Sequence, residues 1–109
     1  IRNDDNYKNI LQVKIQKEFK ITPHYMEIEE HNSDTGYRTG VYLCLGQPVH
    51  NLKHEHSIPI NKFSKYTAIH QYMSENNKVF IFLGEGIHKI KKKAEQISCE
   101  EALQSLNNF

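Results

Sequence analysis

Apolar positions along this chain follow two alternating periods, and the switches between them predict its elements. Tyr7, Leu11, Ile15 and Phe19 recur every four residues and form one stripe, so a helix is predicted over about 5–19. Asp4 or Asp5 is placed to cap it, and Thr22-Pro23 stops it. A strand is predicted over Tyr25–Glu30, and the polar run His31-Asn32-Ser33-Asp34-Thr35-Gly36 reads as a hairpin loop. In the next strand, Tyr37–Leu45, Val41, Leu43 and Leu45 alternate with other residues, as a half-buried strand requires. Phe63, Tyr66, Ile69, Tyr72 and Met73 fall at helical spacing within 61–75. Lys78–Leu83 is apolar at every position from Val79 onward and reads as a strand buried on both faces. A glycine turn, Gly84-Glu85-Gly86, then feeds a last helix over about 90–106, with Ile90, Ala94, Ile97, Ala102 and Leu106 as its core positions.

Apart from the segment 47–77, the order is helix, strand, strand, strand, helix. Consecutive strands imply an antiparallel sheet with both helices on one face, an α+β architecture. At 109 residues, with 38% hydrophobic and 25% charged positions, the chain suits one domain with one modest core. It shows no transmembrane run and no signal peptide, so an intracellular protein, cytoplasmic or nuclear, without a membrane partner is the expectation. Cys44 and Cys99 form no disulfide framework and read as reduced packing residues. Ile at position 1 suggests a piece of a longer protein.

Net charge is only +1, so any anion binding depends on where charges sit. Lys89, Lys91, Lys92 and Lys93 lie within five positions at a predicted helix start, while Glu27, Glu29 and Glu30 cluster elsewhere. Lysines there oppose the helix dipole. An external anion shared with the free backbone N–H groups explains them, and a phosphate backbone is such an anion.

Several motifs together resemble a double-stranded RNA-binding domain, in particular the one at the C-terminus of ribonuclease III enzymes. Tyr7-Lys8-Asn9-Ile10-Leu11-Gln12 is similar to that family's D-x-K-[ST]-x-L-Q-E helix start. Pro23-x-Tyr25 matches its P-x-Y. Leu83-Gly84-Glu85-Gly86, followed by Lys91-Lys92-x-Ala94-Glu95-Gln96, matches L-G-E-G…K-K-x-A-E-Q without a gap, and Glu100-Glu101-Ala102-Leu103 continues the match. The resemblance covers 4–46 and 78–106 and leaves 47–77 as an insertion of about 30 residues, longer than structureless loops usually run. It implies an α-β-β-β-α fold with a three-stranded antiparallel sheet, a partly helical insertion between strands two and three, and duplex RNA read by shape.

Carried over by position, Lys91 and Lys92 would contact major-groove phosphates, with Lys89 and Lys93 as neighbours. Asn9 and Gln12, with Lys8 beside them, would reach one minor groove; the loop with Asp34 and Thr35 would reach the other. Val13 stands where the family has a glutamate, and Asn32-Ser33-Asp34-Thr35 replaces its G-P-x-H loop. Ile90 replaces the serine before the lysine pair, and His88 a glycine two residues earlier. Two of three contact regions therefore differ.

The acidic signature of ribonuclease III catalysis, similar to N-E-R-L-E-F-L-G-D and holding Mg²⁺, does not occur. The expectation is a non-catalytic, cofactor-free module that holds duplex RNA for a Mg²⁺-dependent nuclease domain elsewhere in the parent protein. The alternative is a degenerate domain used for protein interaction or dimerisation through its apolar sheet face and insertion; a homodimer through the parent's nuclease domain is a further partner expectation. The carboxylate pairs Glu29/Glu30 and Glu100/Glu101 read as solvated faces. His50, His54 and His56, with Cys44, are a weaker candidate for zinc. Phe63, Ile69, Tyr72 and Met73 are expected to cover the sheet face opposite the helices, and Lys53, Lys62 and Lys65 to extend the RNA footprint.

Overall fold

A computed structural model describes residues 6–109. The capping aspartates expected at positions 4 and 5 lie outside them. Helix α1 spans Asn6–Phe19 and buries Leu11, Ile15 and Phe19, each worth about 1.5–3 kcal/mol of apolar burial. It stops where Lys20 turns left-handed at φ 63°, its N–H still bonded to the Gln16 carbonyl at 2.9 Å. Strands β1 (His24–Asn32) and β2 (Gly36–Leu45) form an antiparallel hairpin. Gly36, at φ 95°, starts β2 where an added Cβ would meet the His88 carbonyl oxygen at 2.4 Å.

The chain is α+β, but its sheet is not the three-stranded antiparallel one expected. It has four strands in the order β1-β2-β4-β3, with β4 (Val79–His88) antiparallel to β2 and the two-residue β3 (Ile58–Pro59) parallel to β4. Helix α2 begins at Tyr66, not at residue 61, and ends at Glu75; Ile60–Lys62 forms only a single 3-10 turn. Helix α3 spans Lys91–Asn107.

Gly84 and Gly86 are not a turn. Both lie inside β4, which runs to His88. Their role is close approach: a Cβ on Gly86 would meet the Ala94 carbonyl oxygen at 2.2 Å, and one on Gly84 the Ala102 backbone nitrogen at 2.7 Å. A register shift between Val41↔Gly84 and Tyr42↔Phe82 makes Leu83 an extra residue in β4. The Glu85 N–H beside this bulge donates to Glu101 Oε1 at 3.0 Å.

Two apolar clusters lie on opposite faces of the sheet. The inner one joins Leu11, Ile15 and Phe19 of α1, Val41 and Leu43 of β2, Val79, Ile81 and Leu83 of β4, and Cys99, Ala102 and Leu106 of α3. Phe63, Ile69, Tyr72 and Met73 belong to this inner cluster, not to the outer face where they were expected; α2 extends the helix layer. The outer cluster is Tyr42, Cys44 and Phe80, covered by Val49, Leu52, Met26 and Phe82. So the segment between β2 and β4 crosses the outer face, pairs with the edge of β4 at Ile58–Pro59, and returns over the inner face with Ile60 and Ile69. Ile90 and Ile97, predicted as core, are 53% and 37% exposed; the small residues Ala94, Ser98, Cys99 and Ala102 face the sheet instead, as the glycines beneath them require. No helix among the described residues is long and apolar enough to cross a membrane.

Candidate functional site

Helix α3 starts without a side-chain cap and without an acidic residue in its first turn. The first N–H groups of a helix have no intrahelical acceptor, so this end presents free donors and the positive pole of the dipole. The Ile90 N–H is satisfied by His88 Nδ1 at 2.9 Å, which requires that nitrogen to be unprotonated. Lys89, Lys91, Lys92 and Lys93 are all exposed, and none belongs to an ion pair among the described residues.

Other candidate positions reach the same end of the molecule through the sheet register and the helix packing. Tyr37 pairs with His88, so the β1–β2 turn lies beside the β4–α3 junction. Within that turn Asp34 and Thr35 are exposed, and their N–H groups donate to Asn32 Oδ1 at 2.7 and 3.3 Å. The turn is therefore braced by its own asparagine. On the far side, the Lys8 N–H donates to Gln96 Oε1 at 3.0 Å and Lys8 Nζ to Glu95 Oε1 at 2.7 Å. The start of α1 thus sits against the second turn of α3. Asn9 and Gln12 are exposed. Lys8 itself is spent on Glu95 and on the face of Tyr25, 4.9 Å from the ring centroid.

Behind Lys91 lies a cleft of about 210 Å³ lined by Tyr25, Met26, Glu27, Thr39, Lys91 and Glu95. The Tyr25 hydroxyl and Cys99 Sγ are 3.2 Å apart. Burial, then this hydrogen bond, pushes the Tyr25 phenol well above its ordinary range. Burial likewise pushes the Cys99 and Cys44 thiols up, so both remain protonated and unreactive at neutral pH.

Several polar residues have roles the sequence reading missed. Arg38 Nε donates to Glu85 Oε1 at 2.7 Å and Nη1 to Glu29; bonds to Glu85, then Glu29, hold its guanidinium charged. Glu29 and Glu101 are exposed, as expected of solvated faces, and each also accepts a hydrogen bond, from Arg38 and from the Glu85 N–H. The Tyr42 hydroxyl meets His54 Nδ1 at 2.8 Å, and His54 also stands edge-on to Phe82. His50 and His56 stay exposed, and among the described residues no three His, Cys, Asp or Glu side chains come together as a metal would need. An outward tyrosine facing a histidine-rich insertion was the signal for the Tyr42–His54 contact. Lys53, Lys62 and Lys65 are exposed along the insertion.

The arrangement offers an uncapped basic helix start, an exposed polar helix face and a braced turn, all at one end. That combination can hold a polyanion. No protein-family model, curated protein or solved structure matches this chain.

Proposed function

We propose that this chain is a double-stranded RNA-binding domain that holds duplex RNA for a ribonuclease III-type endonuclease. The observation that carries the reading is the convergence at one end of α1, the β1–β2 turn and the lysine-bearing start of α3, secured by the Tyr37↔His88 register and the Lys8–Glu95 contact. In this reading Lys91 and Lys92 anchor phosphates across a major groove, assisted by Lys89, Lys93 and the free N–H groups of α3. Asn9 and Gln12 lie against one minor groove and the turn with Asp34 and Thr35 against another. The strands β1, β2 and β4 with α1 and α3 then form the α-β-β-β-α core, and 47–77 is an addition to it. Phosphate contacts position the domain without reading sequence. Tethering duplex RNA this way raises its effective concentration at a separate catalytic domain.

The rival role in dimerisation through an apolar sheet face draws less support, because Tyr42, Cys44 and Phe80 are already covered by Val49 and Leu52 of the same chain.

The test is a titration with an RNA duplex of about 20 base pairs, longer than the span of one such domain, against a DNA duplex and single-stranded RNA at two salt concentrations. Selective, salt-sensitive binding to duplex RNA is expected. Lys91→Ala with Lys92→Ala should weaken it uniformly across sequences and lower the salt slope by about two. Unchanged binding in that double variant overturns the reading.

A further inference from the structure

The lysine end leaves unexplained the opposite charge along β1. In the order β1-β2-β4-β3, β3 lies on one flank of β4, and β1 has a neighbour only on its β2 side. Alternate N–H and C=O groups of an edge strand point outward unpaired. From His24 to Glu27 the register with β2 is regular, and shifts begin only between Glu27 and Glu29, so this half of the edge is straight enough to accept another strand. Beside it opens a cleft of about 360 Å³ with Met26, Ile28 and Leu52 as its apolar lining and Glu27 and Glu55 as its acids. Lys53 is the cleft's one cation. Glu27 and Glu55 are exposed, and neither is in an ion pair among the described residues.

We propose that β1 and this cleft form a docking groove for an extended peptide that alternates basic and apolar residues. Such a strand would extend the sheet through backbone hydrogen bonds. Side chains on one face of it would enter between Met26 and Leu52 beside Glu55, and basic ones on its other face would meet Glu27, which pairs with Thr39 on the inner side of β1. The charge argues for this occupant over a second copy of the chain. Two β1 edges would bring their acids together, which repels, whereas a basic strand gains from the same carboxylates. The inference does not rest on the duplex RNA reading, although Met26 and Glu27 also line the cleft behind Lys91.

The experiment is a titration of the intact ¹⁵N-labelled chain with a capped hexapeptide alternating arginine and valine, followed through backbone amide shifts. Saturable shifts confined to β1 and residues 52–55 are expected. Glu27→Lys with Glu55→Lys, its fold checked by the same spectrum, should weaken that peptide about tenfold, the size expected from reversing two exposed charge contacts. The doubly reversed chain should instead take up a glutamate–valine peptide at the same amides. Absence of β1 shifts, equal binding of the acidic peptide by the unaltered chain, or concentration-dependent dimerisation through β1 overturns the proposal.

Discussion

Lys8 Nζ and Glu95 Oε1 lie 2.7 Å apart and join the first turn of α1 to the second turn of α3. The lysine side chain is 39% exposed and the glutamate 15%, so the pair is more sheltered than an ordinary surface bridge. A sheltered carboxylate left without its partner carries a desolvation penalty. Lys8→Met should therefore cost about 1 kcal/mol of stability, read from urea unfolding. In the proposed reading it should lower duplex RNA affinity far less than Lys91→Ala does, since the Lys8 charge is already occupied within the fold.

The hydrogen bond between Tyr42 and His54 predicts a local effect. Tyr42→Phe keeps the stack on Phe80, whose ring centroid lies 5.0 Å away, and removes only the hydroxyl. The loss should be about 1 kcal/mol. Hydrogen exchange should accelerate at residues 49–57 while the β2–β4 amides remain protected.

Gly86 tests how tightly α3 rests on the sheet. Alanine there would place a methyl group 2.2 Å from a backbone oxygen of α3, so the helix must move. Gly86→Ala should destabilise by about 3 kcal/mol and, in the proposed reading, weaken duplex RNA binding by displacing Lys91 and Lys92. Ser64→Ala, at an exposed position, should be nearly neutral, and thermal unfolding of the two variants makes the comparison.

Alkaline pH should unfold this protein early. Thiols and phenols titrate ordinarily at 9.0 and 10.0, and the fold raises two of the six tyrosines, Tyr25 and Tyr42, and both cysteines. The folded chain then holds protons that the unfolded chain has released, so stability falls as pH rises. Stability should be flat with respect to these groups below about pH 9 and then decline, each group adding up to ~1.4 kcal/mol per pH unit. Urea unfolding between pH 7 and 11 measures this, and Tyr25→Phe should make the decline shallower above pH 10.

Much of the frame was legible because its signals are local. The four-residue stripe of α1 ends in the buried Phe19, and alternation in β2 places Val41 and Leu43 inward and Tyr42 and Cys44 outward. What failed depended on contacts distant in sequence. Gly84 and Gly86 look like a turn until the backbone of α3 is known to press on them. Phe63, Ile69, Tyr72 and Met73 are visibly apolar, but periodicity does not say which of two apolar faces a segment will meet; residues 49–52 took the outer one. Ile90 and Ile97 were misread because a helix lying on glycines buries its small residues and leaves its large ones at the flanks. Within the candidate site, the lysines stood out by spacing alone. The engagement of Lys8 with Glu95, 87 positions away, had no local signature.

The path of residues 47–77 around β4 also bears on synthesis. Those residues leave the ribosome before the strand they embrace has been made. Until Val79–His88 emerges, Leu52 and Val49 lack Phe80 beneath them, and Ile58 lacks its partner Ile81. The clasp is therefore obliged to close after the strand it encloses, with its apolar residues waiting exposed in the interval, when a nascent chain is most prone to aggregate.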